Sequence, residues 1–77
     1  MSGAKVVKSA VEAEISARSF VATRFPYAIV QVHKVSYRRA EHTWEAQGSY
    51  RLPQWIYMKR FSVEIDADDG NIIGFEF

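Results

Sequence analysis

The sequence predicts an α+β fold in which one N-terminal helix packs on a four-stranded antiparallel sheet, in the order α-β-β-β-β. Three observations predict it. Apolar residues recur with helical spacing over residues 4–25, and the period changes to two after Pro26. The final third then alternates apolar and polar residues over Phe61–Asp66 and again over Ile72–Phe77, on either side of an Asp-Gly turn. This arrangement is typical of a β-hairpin.

The helix is predicted from Ala4 to Phe25, with Ser2 or Gly3 as its cap. At about 100° per residue, one stripe of this segment is apolar. The members of that stripe are Ala4, Val7, Val11, Ile15, Ala22 and Phe25, and the residues that flank it are Ala10, Ala17 and Val21. Pro26 ends the helix, because the residue before a proline is pushed out of the helical region. Phe20 projects off the stripe, and we expect it to cover an edge of the sheet.

Four predicted strands follow, joined by short connections. The first, Tyr27–Arg38, switches the parity of its apolar residues near His33-Lys34, which predicts a bulge. The second alternates over Trp44–Leu52, and the fourth covers Asn71–Phe77. The inner face of the third strand is predicted to carry Tyr57, Phe61, Val63 and Ile65. We expect the core to include Trp44, Tyr50, Phe61, Val63, Ile65, Val11 and Ile15.

Composition limits the classes of function. The chain has 77 residues, a length suited to one domain spanning residues 1–77. It contains no cysteine, which excludes disulfides and cysteine-based metal sites and suits a reducing compartment. No apolar run approaches the roughly 20 residues of a membrane-spanning helix. Charged residues interrupt the N-terminal segment, which argues against a signal peptide. We therefore expect a cytoplasmic protein without a membrane segment.

Charge is distributed unevenly along the chain. The formal net charge is +1, but residues 18–60 sum to +6 and residues 61–77 sum to −5. Two interpretations remain open. The two signs could belong to opposite, solvated ends of the sheet, or their field could steer a charged partner or favour head-to-tail self-association.

No pattern of residues predicts catalysis, a metal or a cofactor. The acidic turn beginning at Asp66 has Asn71 and Phe77 where a calcium-binding EF-hand loop needs glycine and glutamate. His33 and His42 have no further ligand at metal-binding spacing. The sequence lacks a glycine-rich phosphate loop and a nucleophile elbow. It therefore predicts a protein that is not an enzyme.

The segment Arg51–Tyr57 is the strongest candidate for contact with a protein partner. Trp, Tyr and Arg are enriched at binding hot spots, and Pro53 stiffens the loop that would display them. The predicted partner-binding residues are Arg51, Pro53, Trp55, Tyr57, Arg38 and Arg39. In the alternative interpretation, Trp55 and Ile56 close one end of a small core.

A nucleic-acid-binding module is the second hypothesis. Cationic and aromatic residues are interleaved over residues 34–60, so cations could contact phosphates while rings stack on bases. Against this, the sequence pI of about 8.1 is below the strongly basic range typical of such proteins, and the acidic hairpin belongs to the same sheet.

With the helix in place, Phe61–Ile73 resembles the closing hairpin of PepSY-type domains. That family is associated with protease propeptides and small inhibitory or regulatory modules, so the resemblance implies an accessory role toward a protein partner. Trp44, the run Tyr50–Pro53 and the strand Phe61–Asp66 are also similar to gas-vesicle accessory proteins of the O type. Neither resemblance supplies catalytic residues.

The fourth predicted strand also suggests self-association. An uncovered strand of alternating Ile and Phe offers an edge with which other chains can pair. We expect the open face of the sheet to add exposed Tyr and Trp side chains, which usually mark an interface. The sequence therefore predicts a homodimer formed through the open face or through the edge of the sheet.

Overall fold

The computed structural model describes residue 7 and residues 9–77 of the chain. It confirms the predicted fold: helix α1 (Ala10–Arg24) is followed by strands β1 (Ile29–Arg38), β2 (Thr43–Arg51), β3 (Lys59–Asp66) and β4 (Ile72–Glu76). The strands form one antiparallel sheet in the order β1-β2-β3-β4. Each strand therefore pairs with its neighbour in the chain, as a meander of hairpins requires.

The observed helix begins later than predicted. Its cap is Ser9, whose hydroxyl oxygen accepts a hydrogen bond from the backbone N–H of Glu12 at 3.2 Å. A serine in this role satisfies one of the N–H groups that the first helical turn leaves unpaired. Val7 therefore lies outside the helix, while Ser2, Gly3 and Ala4 lie outside the described residues.

The helix also turns a different face to the sheet than the predicted stripe. Its fully buried residues are Ala13, Ala17 and Val21. By contrast, Val11 is 66% exposed and Ile15 is 56% exposed, so the prediction that both belong to the core was wrong. The physical reason is that the sheet already supplies large rings to the core. Small residues spaced four apart on the helix let its backbone approach those rings closely.

The core lies between the helix and one face of the sheet. Its buried strand residues are Ala46, Tyr50, Phe61, Val63 and Ile65. The Tyr50 ring stacks on Phe25 at 4.7 Å between centroids. Phe20 packs on the edge strand from the helix side, where its ring lies 5.2 Å from that of Phe75 on β4. Trp44 is half-buried against this cluster.

Two local details of the sheet matter for the surface described below. The predicted bulge in β1 is confirmed between Val32 and Lys34. The placement of Tyr57 on the inner face of the third strand was wrong, because β3 begins at Lys59 and Tyr57 lies in the preceding connection. A run of apolar residues just before a strand continues the strand's hydrophobicity without sharing its hydrogen bonds.

The sheet has two distinct ends. We call the end with the β1–β2 and β3–β4 connections the turn end; there Gly70 has φ 78° and donates a backbone hydrogen bond to Asp66 at 2.8 Å. Val7 crosses this end: its N–H donates to the Ala67 carbonyl at 2.8 Å, and its carbonyl accepts from the Trp44 indole at 3.0 Å. The opposite end, with the β2–β3 connection, is the loop end.

Candidate binding surface

The β2–β3 loop, residues 52–58, is held in shape by its own hydrogen bonds. The Trp55 N–H donates to the Leu52 carbonyl at 3.0 Å, which closes a turn with Pro53 at its second position. From the end of β2, Nη1 of Arg51 donates to the Trp55 carbonyl at 3.2 Å and, at 3.5 Å, to the carbonyls of Leu52 and Pro53. The guanidinium therefore ties the loop backbone to the sheet.

Trp55 and Ile56 have opposite environments in this loop. The Trp55 ring packs against Tyr50 at 5.8 Å and thus joins the edge of the core, as the alternative interpretation expected. Its other neighbours are Tyr57, stacked at 5.6 Å and 5°, and the Lys59 ammonium 5.6 Å from its centroid. Ile56 does not close the core, because its side chain is 99% exposed. The loop therefore has a buried anchor and an exposed apolar tip.

Further exposed apolar side chains lie at the same end of the sheet. Tyr57 is 56% exposed and Met58 is also exposed. Ile29 starts β1 directly opposite Arg51, and Tyr27, which is 89% exposed, precedes it with a positive φ of 71°. Sequence reasoning included Ile56 in the candidate segment but did not name it as a partner-binding residue, and it missed Met58, Tyr27 and Ile29. The run Ile56-Tyr57-Met58 after a Pro-containing turn was the available signal, hidden because Tyr57 was assigned to a strand.

The structure does not bring all six predicted partner-binding residues together. Arg51, Pro53, Trp55 and Tyr57 are at the loop end. Arg38 and Arg39 are at the turn end, where β1 passes into its connection with β2. Since β1 advances about 3.3 Å per residue, the two groups are separated by roughly 30 Å. One small partner surface could not contact both.

The face of the sheet away from the helix, here the open face, is polar. Register places Tyr37 opposite Trp44, and these rings pack together at 5.0 Å on the helix side with Tyr50. The expectation that Tyr and Trp side chains cover the open face was therefore wrong. Alternation explains the result, because Thr43, Glu45, Gln47 and Ser49 occupy the other parity of β2.

A concave pocket of about 630 Å³ lies on the open face near the loop end. Its volume is in the range of ligand-binding clefts. Residues Lys34, Gln47, Ser62 and Glu76 form one row of it across all four strands, and Arg60 lies in the next row. His33, in the bulge, is hydrogen-bonded through Nε2 to the Ser49 hydroxyl at 2.9 Å. We call this the basic pocket.

Toward the turn end the open face becomes acidic. Glu45 and Glu64 are paired across β2 and β3, and each carboxylate accepts a hydroxyl hydrogen bond, from Ser62 at 3.4 Å and from Thr43 at 3.0 Å respectively. Asp66 continues this acidic region along β3. Glu45, Glu64 and Asp66 therefore form an acidic region on the half of the open face nearer the turn end, and Arg38 lies beside this region at the end of β1.

The described residues form neither a metal-ligand cluster nor a helix that could span a membrane. Within residue 7 and residues 9–77, no three His, Cys, Asp or Glu side chains are grouped so that they could hold a metal ion. In the same part of the chain, α1 is too short and too polar to cross a bilayer. Comparison with models of known families, with curated proteins and with solved structures finds no match. The interpretation of the surface therefore depends on its geometry.

Proposed function

We propose that this protein is a small non-enzymatic binding module that contacts a protein partner through the β2–β3 loop. The observation that carries the proposal is the contrast within that loop: Ile56 is 99% exposed, while the backbone around it is fixed by Arg51 and by the Trp55 turn. A rigid loop with an apolar tip loses little conformational entropy when it binds. Such a loop is suited to insertion into a partner's pocket.

The residues around the tip extend this contact surface. Tyr57 offers a half-exposed aromatic ring supported by Trp55, and Met58 adds an adaptable apolar side chain. Single exposed apolar residues are ordinary, but several at one end of a small sheet are typical of an interaction site. The proposed role is accessory or regulatory, as the PepSY resemblance implies. The cysteine-free composition supports a cytoplasmic location.

The first prediction concerns the loop tip. We expect the double variant Ile56→Ser, Tyr57→Ser to lose the proteins that the wild-type chain retains from an extract of its source cells, because it removes the exposed apolar contact area. Quantitative mass spectrometry of the retained proteins measures the loss. Since both side chains are largely exposed, the variant should unfold at nearly the wild-type urea midpoint.

The matched control is Arg38→Ser, Arg39→Ser at the turn end. It also changes two exposed residues that were predicted to bind a partner, but it lies far from the loop. We expect it to retain the same proteins as the wild type. If the control loses them and the loop variant keeps them, the loop is not the partner-binding site.

We also propose that the chain forms a homodimer through the outer edge of β4. This strand pairs only with β3 in the sheet, and its Ile73 and Phe75 side chains are exposed. Neither lysine nor proline protects the strand from pairing with another chain. Of the two predicted dimer interfaces, the edge of the sheet is better supported, because the open face is polar.

The second prediction tests this edge. We expect sedimentation equilibrium to give the mass of two chains at high concentration, and Ile73→Lys to shift the equilibrium toward one chain because a charge is placed on the pairing edge. Ile56→Lys is the matched control and should leave the equilibrium unchanged. A wild-type mass of one chain over the whole concentration range would exclude the dimer.

A further inference from the structure

We infer that the basic pocket binds an acidic stretch of the partner protein. Carboxylates of that stretch contact Lys34 and Arg60, while its apolar residues contact the β2–β3 loop. This inference rests on the proposed function, because it names the chemistry of the partner that the loop recognises.

The cations of the pocket are available to a ligand. Neither Lys34 nor Arg60 forms an ion pair or a side-chain hydrogen bond with any residue that the structure describes. This contrasts with Arg18, which is paired with Glu14 at 2.7 Å, and with Arg51, which holds the loop. Lys34 and Arg60 line a concave surface, where an incoming carboxylate can accept charge-assisted hydrogen bonds from them.

The spacing of the two cations suits an extended acidic segment. Lys34 is on β1 and Arg60 is on β3, one row nearer the loop. From strand and residue spacings, their Cα atoms lie about 12 Å apart. In an extended chain, side chains on one face recur every 6 to 7 Å or so, so carboxylates two to four residues apart can reach both cations. Arg60 lies on β3 just after the β2–β3 loop, so the same segment can continue from Arg60 toward that loop.

The charged surroundings favour an acidic polypeptide over other anions. Lys34 and Arg60 outnumber Glu76, the acidic side chain of the pocket lining. A nucleic acid is favoured less, because the rings of Tyr37 and Trp44 pack on the helix side. The two aromatic residues of the pocket lining, Phe61 and Phe77, have their rings packed against Tyr50 rather than free to stack on bases. The polar pocket and the apolar tip of the loop together suit a partner segment that contains both acidic and apolar residues.

The experiment selects ligands without assuming a partner. A phage-displayed library of random peptides is selected on the full-length protein, and an enriched sequence is synthesised for calorimetric titration at low and moderate salt. We expect the enriched peptides to be rich in Asp and Glu together with Leu, Ile or aromatic residues. Their affinity should fall as salt rises, because the contacts to Lys34 and Arg60 are partly exposed.

Variants separate the inference from the proposed function. The double variant Lys34→Glu, Arg60→Glu should lower the affinity for the peptide by about tenfold or more, whereas Glu76→Gln should raise that affinity. Arg38→Glu, Arg39→Glu makes the same charge change at the turn end and should have little effect. All these positions are exposed on strands or in a turn, so circular dichroism should show an unchanged fold.

Each outcome decides between the alternatives. The inference is overturned if the enriched peptides are basic or uncharged, if no peptide is enriched, or if binding is insensitive to Lys34→Glu, Arg60→Glu. If only Ile56→Ser, Tyr57→Ser abolishes peptide binding, the result still supports the loop as the binding site. Loss of peptide binding through the pocket variant alone supports the pocket as the site for carboxylates and contradicts the proposed contact with the loop. Tighter binding of single-stranded oligonucleotides than of the peptide, with the same variant sensitivity, overturns the inference. The inference is also overturned if the chain self-associates and this self-association is abolished by the pocket variant but not by Ile73→Lys.

Discussion

Gly48→Ala is expected to destabilise the protein by about 2 kcal/mol or more, although it adds a single methyl group. A Cβ atom at Gly48 would lie 2.0 Å from the backbone oxygen of Gln31 and 2.8 Å from the ring of Phe61. The Gln31 oxygen belongs to β1 next to its bulge, so it cannot move without shifting the strand. Urea unfolding followed by circular dichroism measures the change in the free energy of unfolding.

Gly74→Ala is the matched control for this prediction. Gly74 also lies within a strand, but a Cβ atom there would meet only the Glu64 side chain, at 3.5 Å or more. We expect a change within about 0.5 kcal/mol, because alanine fits the site and restricts the unfolded chain. Equal unfolding midpoints for the two variants would show that β1 and β2 do not approach each other at Gly48. Gly48 also lines the basic pocket, so a wider separation of β1 and β2 at Gly48 would alter the shape of the pocket as well.

The strands could be predicted from sequence because the alternation of apolar and polar residues is a local signal that determines which residues face the core. A shift of one residue would turn Phe61, Val63 and Ile65 toward water, so burial fixes which parity faces the helix. The same argument located the bulge near His33-Lys34 from a change of parity alone. The helix was harder, because its surface offers several apolar stripes and the sheet selects among them by shape.

The candidate site could be predicted only in part. The segment Arg51–Tyr57 was identified from residue types, but the roles within it depend on contacts made outside the segment. Trp55 is anchored because Tyr50 lies beneath it, and Ile56 is exposed because none of the residues that the structure describes packs over it. The basic pocket brings Lys34 and Arg60 together from different strands through the register, and no sequence spacing expresses that proximity.

Ala17→Leu is expected to destabilise the protein by about 1–3 kcal/mol, whereas Ala22→Leu should be nearly neutral. Ala17 is fully buried between Ala13 and Val21 on the face that meets the sheet. A leucine there must push α1 away from the rings of the core or adopt a strained rotamer. Ala22 is exposed, so the same substitution meets only solvent and keeps good helix propensity.

This pair also distinguishes the observed helix face from the stripe predicted by sequence. The stripe places Ala22 toward the sheet, whereas the structure places Ala17 there. Thermal and urea unfolding of both variants gives the order of their stabilities, and the size of the loss at Ala17 reports how closely the helix backbone approaches the sheet. If the Ala22→Leu variant is less stable than the Ala17→Leu variant, α1 must be rotated about its axis, with Val11 and Ile15 turned toward the core.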